Sequence, residues 1–179
     1  TLEALEHGKH VLCEVPAARS LEEAEQLARG VEQSGLKYMF AENMCYYAYM
    51  QTYRQLVREG IIGRPTYAEG EYIHDCRSLM HDRFDGITPG AETGPTWRAS
   101  LPPIQYCTHD LGPLLEIMDT RVVSACGLHT GAHVGVPWGA IDLEVGLFQT
   151  ELGAPIKILC GFNVVRPASM HWMVIYGTE

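Results

Sequence analysis

Apolar positions along the chain change their spacing once, and the change divides it. Through about residue 63, helical stripes alternate with short apolar runs. A helix over residues 1–6 is stopped by Gly8. Val11, Leu12 and Cys13 follow, an apolar run of the kind a buried parallel strand shows. The run breaks at Glu14, and Pro16, which has no ladder donor, ends the strand. Ser20 with Glu23 makes a capping box, after which Leu21, Ala24, Leu27, Ala28 and Val31 recur at helical spacing until Gly35. Residues 38–41 read as a second buried strand, ending at Glu42 and Asn43. Strand, helix and strand make a βαβ unit, parallel and right-handed. Glu14 and Glu42-Asn43 are thus expected at strand ends facing one crevice, where open α/β sheets take their ligands. A further helix from about 48 to 59 is expected to turn Tyr53, Leu56 and Val57 inward and to stop at Gly60.

After Gly63 the spacing becomes alternating, so a second domain is expected over 64–179, with 1–63 as the first. A strand over 66–75 puts Tyr72 and His74 on one face, Ile73 and Asp75 on the other. Residues 76–104 are rich in Gly and Pro without apolar periodicity, a length typical of lids, binding loops or disordered segments. Thr108 is expected to cap a helix running through Leu111, Leu114, Leu115 and Met118. The runs 122–130, 141–152, 156–165 and 171–176 complete a mostly antiparallel sheet with a helix on one face. The fold class is α/β followed by α+β.

Two constellations could carry chemistry. Tyr72 and His74, two apart on one strand face, can both shuttle protons; the same pattern also fits a packed tyrosine beside a satisfied histidine. Tyr106-Cys107-Thr108-His109-Asp110-Leu111-Gly112-Pro113 puts His109 in the first turn of a helix, a place that suits a neutral base or hydrogen-bond partner. A surface histidine at a helix cap reads identically. The His-Asp pairs at 74-75, 81-82 and 109-110 lack metal-ligand spacing, so no metal is expected. The tyrosines 46, 47, 49 and 53 fit helix packing better than a base-stacking platform.

Composition removes whole classes. The net charge of −9 without a basic block argues against nucleic acid or an anionic membrane as partner. No apolar run approaches the roughly 20 residues of a membrane span. The six cysteines lie far apart with no C-x-x-C, as in a reduced intracellular protein, so a cytoplasmic location is expected. The absence of G-x-G-x-x-G and the abrupt ends lead to the expectation of a fragment of a larger enzyme.

Gly8-Lys9-His10-Val11-Leu12-Cys13-Glu14, with Pro16 and Ala18, resembles the G-K-H-V-L-x-E-K-P-x-A signature of the Gfo/Idh/MocA dehydrogenases, NAD(P)-dependent enzymes acting mostly on sugars and polyols. Val15 replaces their proton-transferring lysine. Asp110-Leu111-Gly112 matches the D-x-G of their D-x-G-x-H, but Leu114 stands at the histidine. Several motifs are instead similar to the superfamily's NAD-dependent glycosidases of the α-N-acetylgalactosaminidase type. These are E-V-P-A-A from Glu14, Glu42-Asn43 with Cys45-Tyr46, Tyr-x-His-Asp at 72–75, and Tyr-x-T-H-x-L-G-P at 106–113. Asp110 stands where that branch tends to have glycine.

The resemblance implies the C-terminal part of a Rossmann NAD-binding domain without its phosphate-binding βαβ unit. An open-sheet domain follows, with the active site in the crevice between the two. It implies that Glu14, Pro16, Glu42 and Asn43 serve the cofactor, NAD or NADP, with Glu14 near the ribose and Asn43 near the nicotinamide. Glu42 would also border the sugar. Tyr72, His74, Tyr106 and His109 would be catalytic, and Arg98 and Asp110 would bind substrate. Two reactions follow from it: net hydride transfer from a sugar carbinol, or a redox glycosidase. In the latter, transient oxidation at C3 acidifies the C2 hydrogen, the aglycone is eliminated, water adds and the hydride returns. A homodimer or homotetramer through the sheet is implied; a non-catalytic oligomerisation module is the remaining alternative.

Overall fold

Ser20 Oγ accepts a hydrogen bond from the Glu23 backbone N–H at 3.1 Å, and the Glu23 carboxylate accepts one from the Arg19 N–H at 2.7 Å. The reciprocal cap forms as the sequence prescribes, one residue further back on the carboxylate side. The computed structural model describes residues 1–80, 94–134, 139–166 and 170–179. They form two compact units, Thr1–Asn43 and Met44–Glu179.

The first unit contains α1 (Leu2–Glu6), β1 (Val11–Cys13), α2 (Leu21–Ser34) and β2 (Tyr38–Phe40). The strands pair in parallel, Val11 opposite Tyr38 and Cys13 opposite Phe40, so the βαβ unit is present. Gly8 and Gly35 take the left-handed conformation at φ 70 and 64 that ends each helix. Burial differs from expectation. Leu12 is 67% exposed and Met39 42%, and no residue of α2 is buried. One strand pair with α2 and the short α1 offers too little surface to cover both apolar faces.

The second unit contains α3 (Ala48–Arg58), β3 (Pro65–Ile73), α4 (Thr108–Met118), β4 (Val122–His129), β5 (Leu143–Thr150), β6 (Pro155–Gly161) and β7 (His171–Gly177). Its sheet has the order β4-β5-β6-β3-β7, antiparallel except for the parallel β3–β6 pair. The division between the two compact units falls between Asn43 and Met44, and α3 packs on α4 within the second. Its inward stripe is Met50, Arg54 and Val57, spaced i, i+4, i+7. Met50 and Val57 pack with Met44, Ile117, Met173 and Ile175, while Arg54 pairs with Glu116 at 3.2 Å. Tyr53 and Leu56, expected inside, are exposed, and so are Tyr46, Tyr47 and Tyr49.

Thr108 is the first residue of α4, not its cap. The short turn Pro103–Tyr106 runs straight into the helix, and Cys107 already has helical torsions at φ −57. Of the long 76–104 segment, residues 81–93 lie outside the described residues, and with them the His81-Asp82 pair. On either side of them Thr96 is tied back, its N–H to Met80 O at 2.9 Å and its hydroxyl to Leu79 O at 2.7 Å. No helix among the described residues is long and apolar enough to cross a membrane.

Candidate active site

Alternation along β3 sends Ala68, Gly70 and Tyr72 to the side on which α4 lies. Gly70 permits the close approach of that helix: a Cβ there would lie 2.8 Å from Asp110 Cβ. Tyr72, 5% exposed, then becomes the centre of a ring cluster. His171, its ladder partner on β7, has its ring centroid 5.0 Å away. His109 comes from the first turn of α4 at 5.3 Å, and Tyr106 stacks at 5.7 Å with the planes 17° apart. Phe162, just past β6, closes the group edge-on at 6.3 Å.

The polar edges of these rings are joined. Tyr72 Oη lies 3.0 Å from His74 Nδ1. Arg98 Nη2 donates to Tyr106 Oη at 3.2 Å, and its guanidinium lies over Trp97 at 4.7 Å and Tyr106 at 5.2 Å, cation–π geometry in both cases. Asp110, fully buried, has Oδ1 3.2 Å from His171 Nδ1.

Burial, more than any neighbouring charge, holds the Tyr72 phenol well above its ordinary range. Burial first and the Arg98 cation second lower the His74 imidazole below its ordinary 6.5. At neutral pH the phenol therefore keeps its proton and the imidazole is uncharged, so the Tyr72 Oη–His74 Nδ1 hydrogen bond joins two neutral groups, and the imidazole tautomer sets which of them donates. The pair holds one movable proton, with Arg98 as the nearby fixed positive charge.

The structure brings together Tyr72, His74, Arg98, Tyr106, His109 and Asp110, all in the second unit. Asp110 is not at a surface: its carboxylate is covered and engaged by His171, so it supports the cluster from beneath. His171 and Phe162 did not stand out in the sequence. The alternation at 171–176 marks His171 as a strand residue, but only the β3–β7 register reveals its neighbour. The other four candidates lie in the first unit. Glu14 and Asn43 are exposed just beyond the carboxyl ends of β1 and β2, Pro16 follows a cis peptide bond, and Glu42 is buried. These ends are adjacent, the Ala41 N–H donating to Cys13 O at 2.8 Å. A carboxylate for ribose hydroxyls and an amide for a carboxamide fit the nicotinamide half of NAD there. Among the described residues no group of three His, Cys, Asp or Glu side chains could hold a metal ion.

Residues 1–42 match the family described as oxidoreductases with an NAD-binding Rossmann fold. Over 92% of its length the chain is 32% identical to an α-N-acetylgalactosaminidase of Bacteroides fragilis, of which it covers 43%. Over 98% it is 30% identical to a glycosyl hydrolase family 109 protein of Phocaeicola vulgatus, covering 47% of that protein. The chain thus spans about half the length of these curated relatives. Among solved structures, an oxidoreductase domain protein of Kribbella flavida superposes with a TM-score of 0.75 over 99% of this chain and 48% of its own, at 22% identity. A scyllo-inositol dehydrogenase of Lactobacillus casei does so with 0.72 over 99% and 49%, at 18% identity. These likenesses show the fold.

Proposed function

We propose that the chain is part of an NAD-dependent enzyme of the Gfo/Idh/MocA oxidoreductase superfamily acting on a sugar glycoside, a redox glycosidase with α-N-acetylgalactosaminides as the substrate class to test first; the family match of residues 1–42 and the likeness to glycosidases support this reading. The observation that carries this reading is the proton-holding cluster around Tyr72, in a chain similar along nearly its whole length to glycosidases. Glu14, Pro16, Glu42 and Asn43 would hold the nicotinamide half of the cofactor. NAD, when bound, supplies a reversible hydride acceptor. The chain's own work is proton handling and positioning. Tyr72 gives its proton to His74 and recovers one from the sugar, or the reverse. Arg98 and Tyr106 hold a sugar oxygen, and Phe162 and the stacked rings exclude water. Val15 and the fully buried Leu114 carry no proton, which disfavours the usual dehydrogenase constellation.

A net sugar dehydrogenase is the second reading, favoured by the Asp110-Leu111-Gly112 match. The two separate in one assay of the full-length protein on p-nitrophenyl glycosides and free sugars, with NAD and with NADP. Nitrophenol release that depends on cofactor without net NADH supports the glycosidase. Steady NADH from free sugar with no glycoside cleaved overturns it in favour of the dehydrogenase.

Oligomerisation through the sheet belongs to the same proposal. The face turned away from α4 carries Leu128, Leu147, Trp172 and Tyr176, all exposed. A homodimer or homotetramer would cover them, and the solution mass of the full-length protein tests it.

A further inference from the structure

The dehydrogenase-like D-x-G at Asp110 lacks its histidine, because position 114 is a fully buried leucine. The carboxylate nevertheless has an imidazole. His171, at the first position of β7, comes from a distant part of the chain to lie with Nδ1 3.2 Å from Asp110 Oδ1. The arrangement is built in at three places. Gly70 leaves no Cβ where Asp110 must pass, at 2.8 Å. The β3–β7 register sets His171 directly opposite Tyr72. Asp110 itself is wholly shielded from solvent while the His171 side chain is 22% exposed.

We propose that Asp110 and His171 form a working dyad, in which Asp110 is the positioning residue and His171 presents a proton acceptor to a sugar hydroxyl. A buried carboxylate takes a hydrogen bond only from a protonated ring nitrogen, so it fixes the proton on Nδ1. With the proton on Nδ1, Nε2 is the ring nitrogen able to accept one. The ring stands 5.0 Å from Tyr72 and 6.0 Å from His109, centroid to centroid, which places that acceptor among the groups already assigned to proton transfer. The dyad thus replaces a local Asp–His pair on one helix by a pair joining α4 to β7. It rests on the sugar-active reading above for its substrate, but not for its tautomer.

The test uses full-length protein and the variants Asp110→Asn, His171→Gln and the double variant. His171→Gln is expected to lower kcat by roughly a hundredfold with KM changed little, and Asp110→Asn by roughly tenfold. The double variant should be no slower than His171→Gln alone, since the two act as a unit. Circular dichroism and the unfolding midpoint identify any variant that fails to fold. Independently of activity, two-bond nitrogen–proton NMR spectra of histidine-labelled wild type should show His171 with its proton on Nδ1, its signal identified by its loss in His171→Gln. A His171 protonated on Nε2, or a folded His171→Gln with kcat within about twofold of wild type, overturns the dyad. A wild type inert towards glycosides and sugars, but with the expected tautomer, overturns the sugar reading and leaves the pair standing.

Discussion

Tyr72 and His171 face each other across β3 and β7, residue to residue in the ladder, with ring centroids 5.0 Å apart. A slip of one residue in that pairing would turn the imidazole to the opposite face of the sheet. The sheet register therefore sets the composition of the site, and α4 lays His109 and Asp110 over it.

Tyr72→Phe keeps the ring among Tyr106, His109, His171 and Phe162 and removes only the hydroxyl that hydrogen-bonds with His74. Its stability should change by no more than about 1 kcal/mol, the net worth of one hydrogen bond. Its kcat should fall by roughly a hundredfold or more, as expected when a proton-transfer group is lost. Urea unfolding beside steady-state kinetics checks both. Full activity in the folded variant would remove Tyr72 from the chemistry.

The lowered His74 has a stability consequence of definite sign. Above its unfolded value of about 6.5 both states carry a neutral imidazole and the folded state bears no penalty. As pH falls through that value towards the lower folded one, the unfolded chain binds the proton first and stability is lost. Melting temperatures should decline on the acid side of that window, and His74→Asn should flatten the decline. An unchanged acid slope in the variant would assign the loss to other groups.

Arg98 is the second cause of that lowering, after burial. Arg98→Gln should raise the His74 titration midpoint, followed by proton NMR of the ring. It should also raise KM through the lost hydrogen bond to Tyr106 Oη. A midpoint that stays or falls would show that burial alone sets it.

Gly70→Ala tests the packing beneath the site. The new Cβ would meet Asp110 Cβ at 2.8 Å and Ile158 Cδ1 at 3.1 Å. Overpacking of this kind costs about 1–3 kcal/mol. Chemical denaturation should show that loss, and kcat should drop with it as Asp110 is pushed away from His171.

What the sequence made legible was local. The Ser20 cap, the Gly8 and Gly35 stops, the parallel βαβ unit and the shared face of Tyr72 and His74 follow from periodicity and turn chemistry within a few residues. The inward face of α3 did not, because the choice between its Tyr53 side and its Met50 side is made by α4 and β7. Thr108 looked like a cap because nothing in its neighbourhood revealed that the preceding turn would already be helical at Cys107. The role of Asp110 was hidden for the same reason as His171. Each gains its meaning from a residue that only strand register brings near.

On the proposed function, protons move at the Tyr72 cluster while the glycoside is opened through a transiently acidic C2 hydrogen. The most direct measurement is cleavage of a p-nitrophenyl α-N-acetylgalactosaminide by the full-length protein with NAD in heavy water, with the released sugar analysed by NMR. Solvent deuterium is expected at C2 of the product, with no deuterium-bearing product from Tyr72→Phe on the same timescale. A cleaved sugar that keeps its original hydrogen at C2 would contradict it.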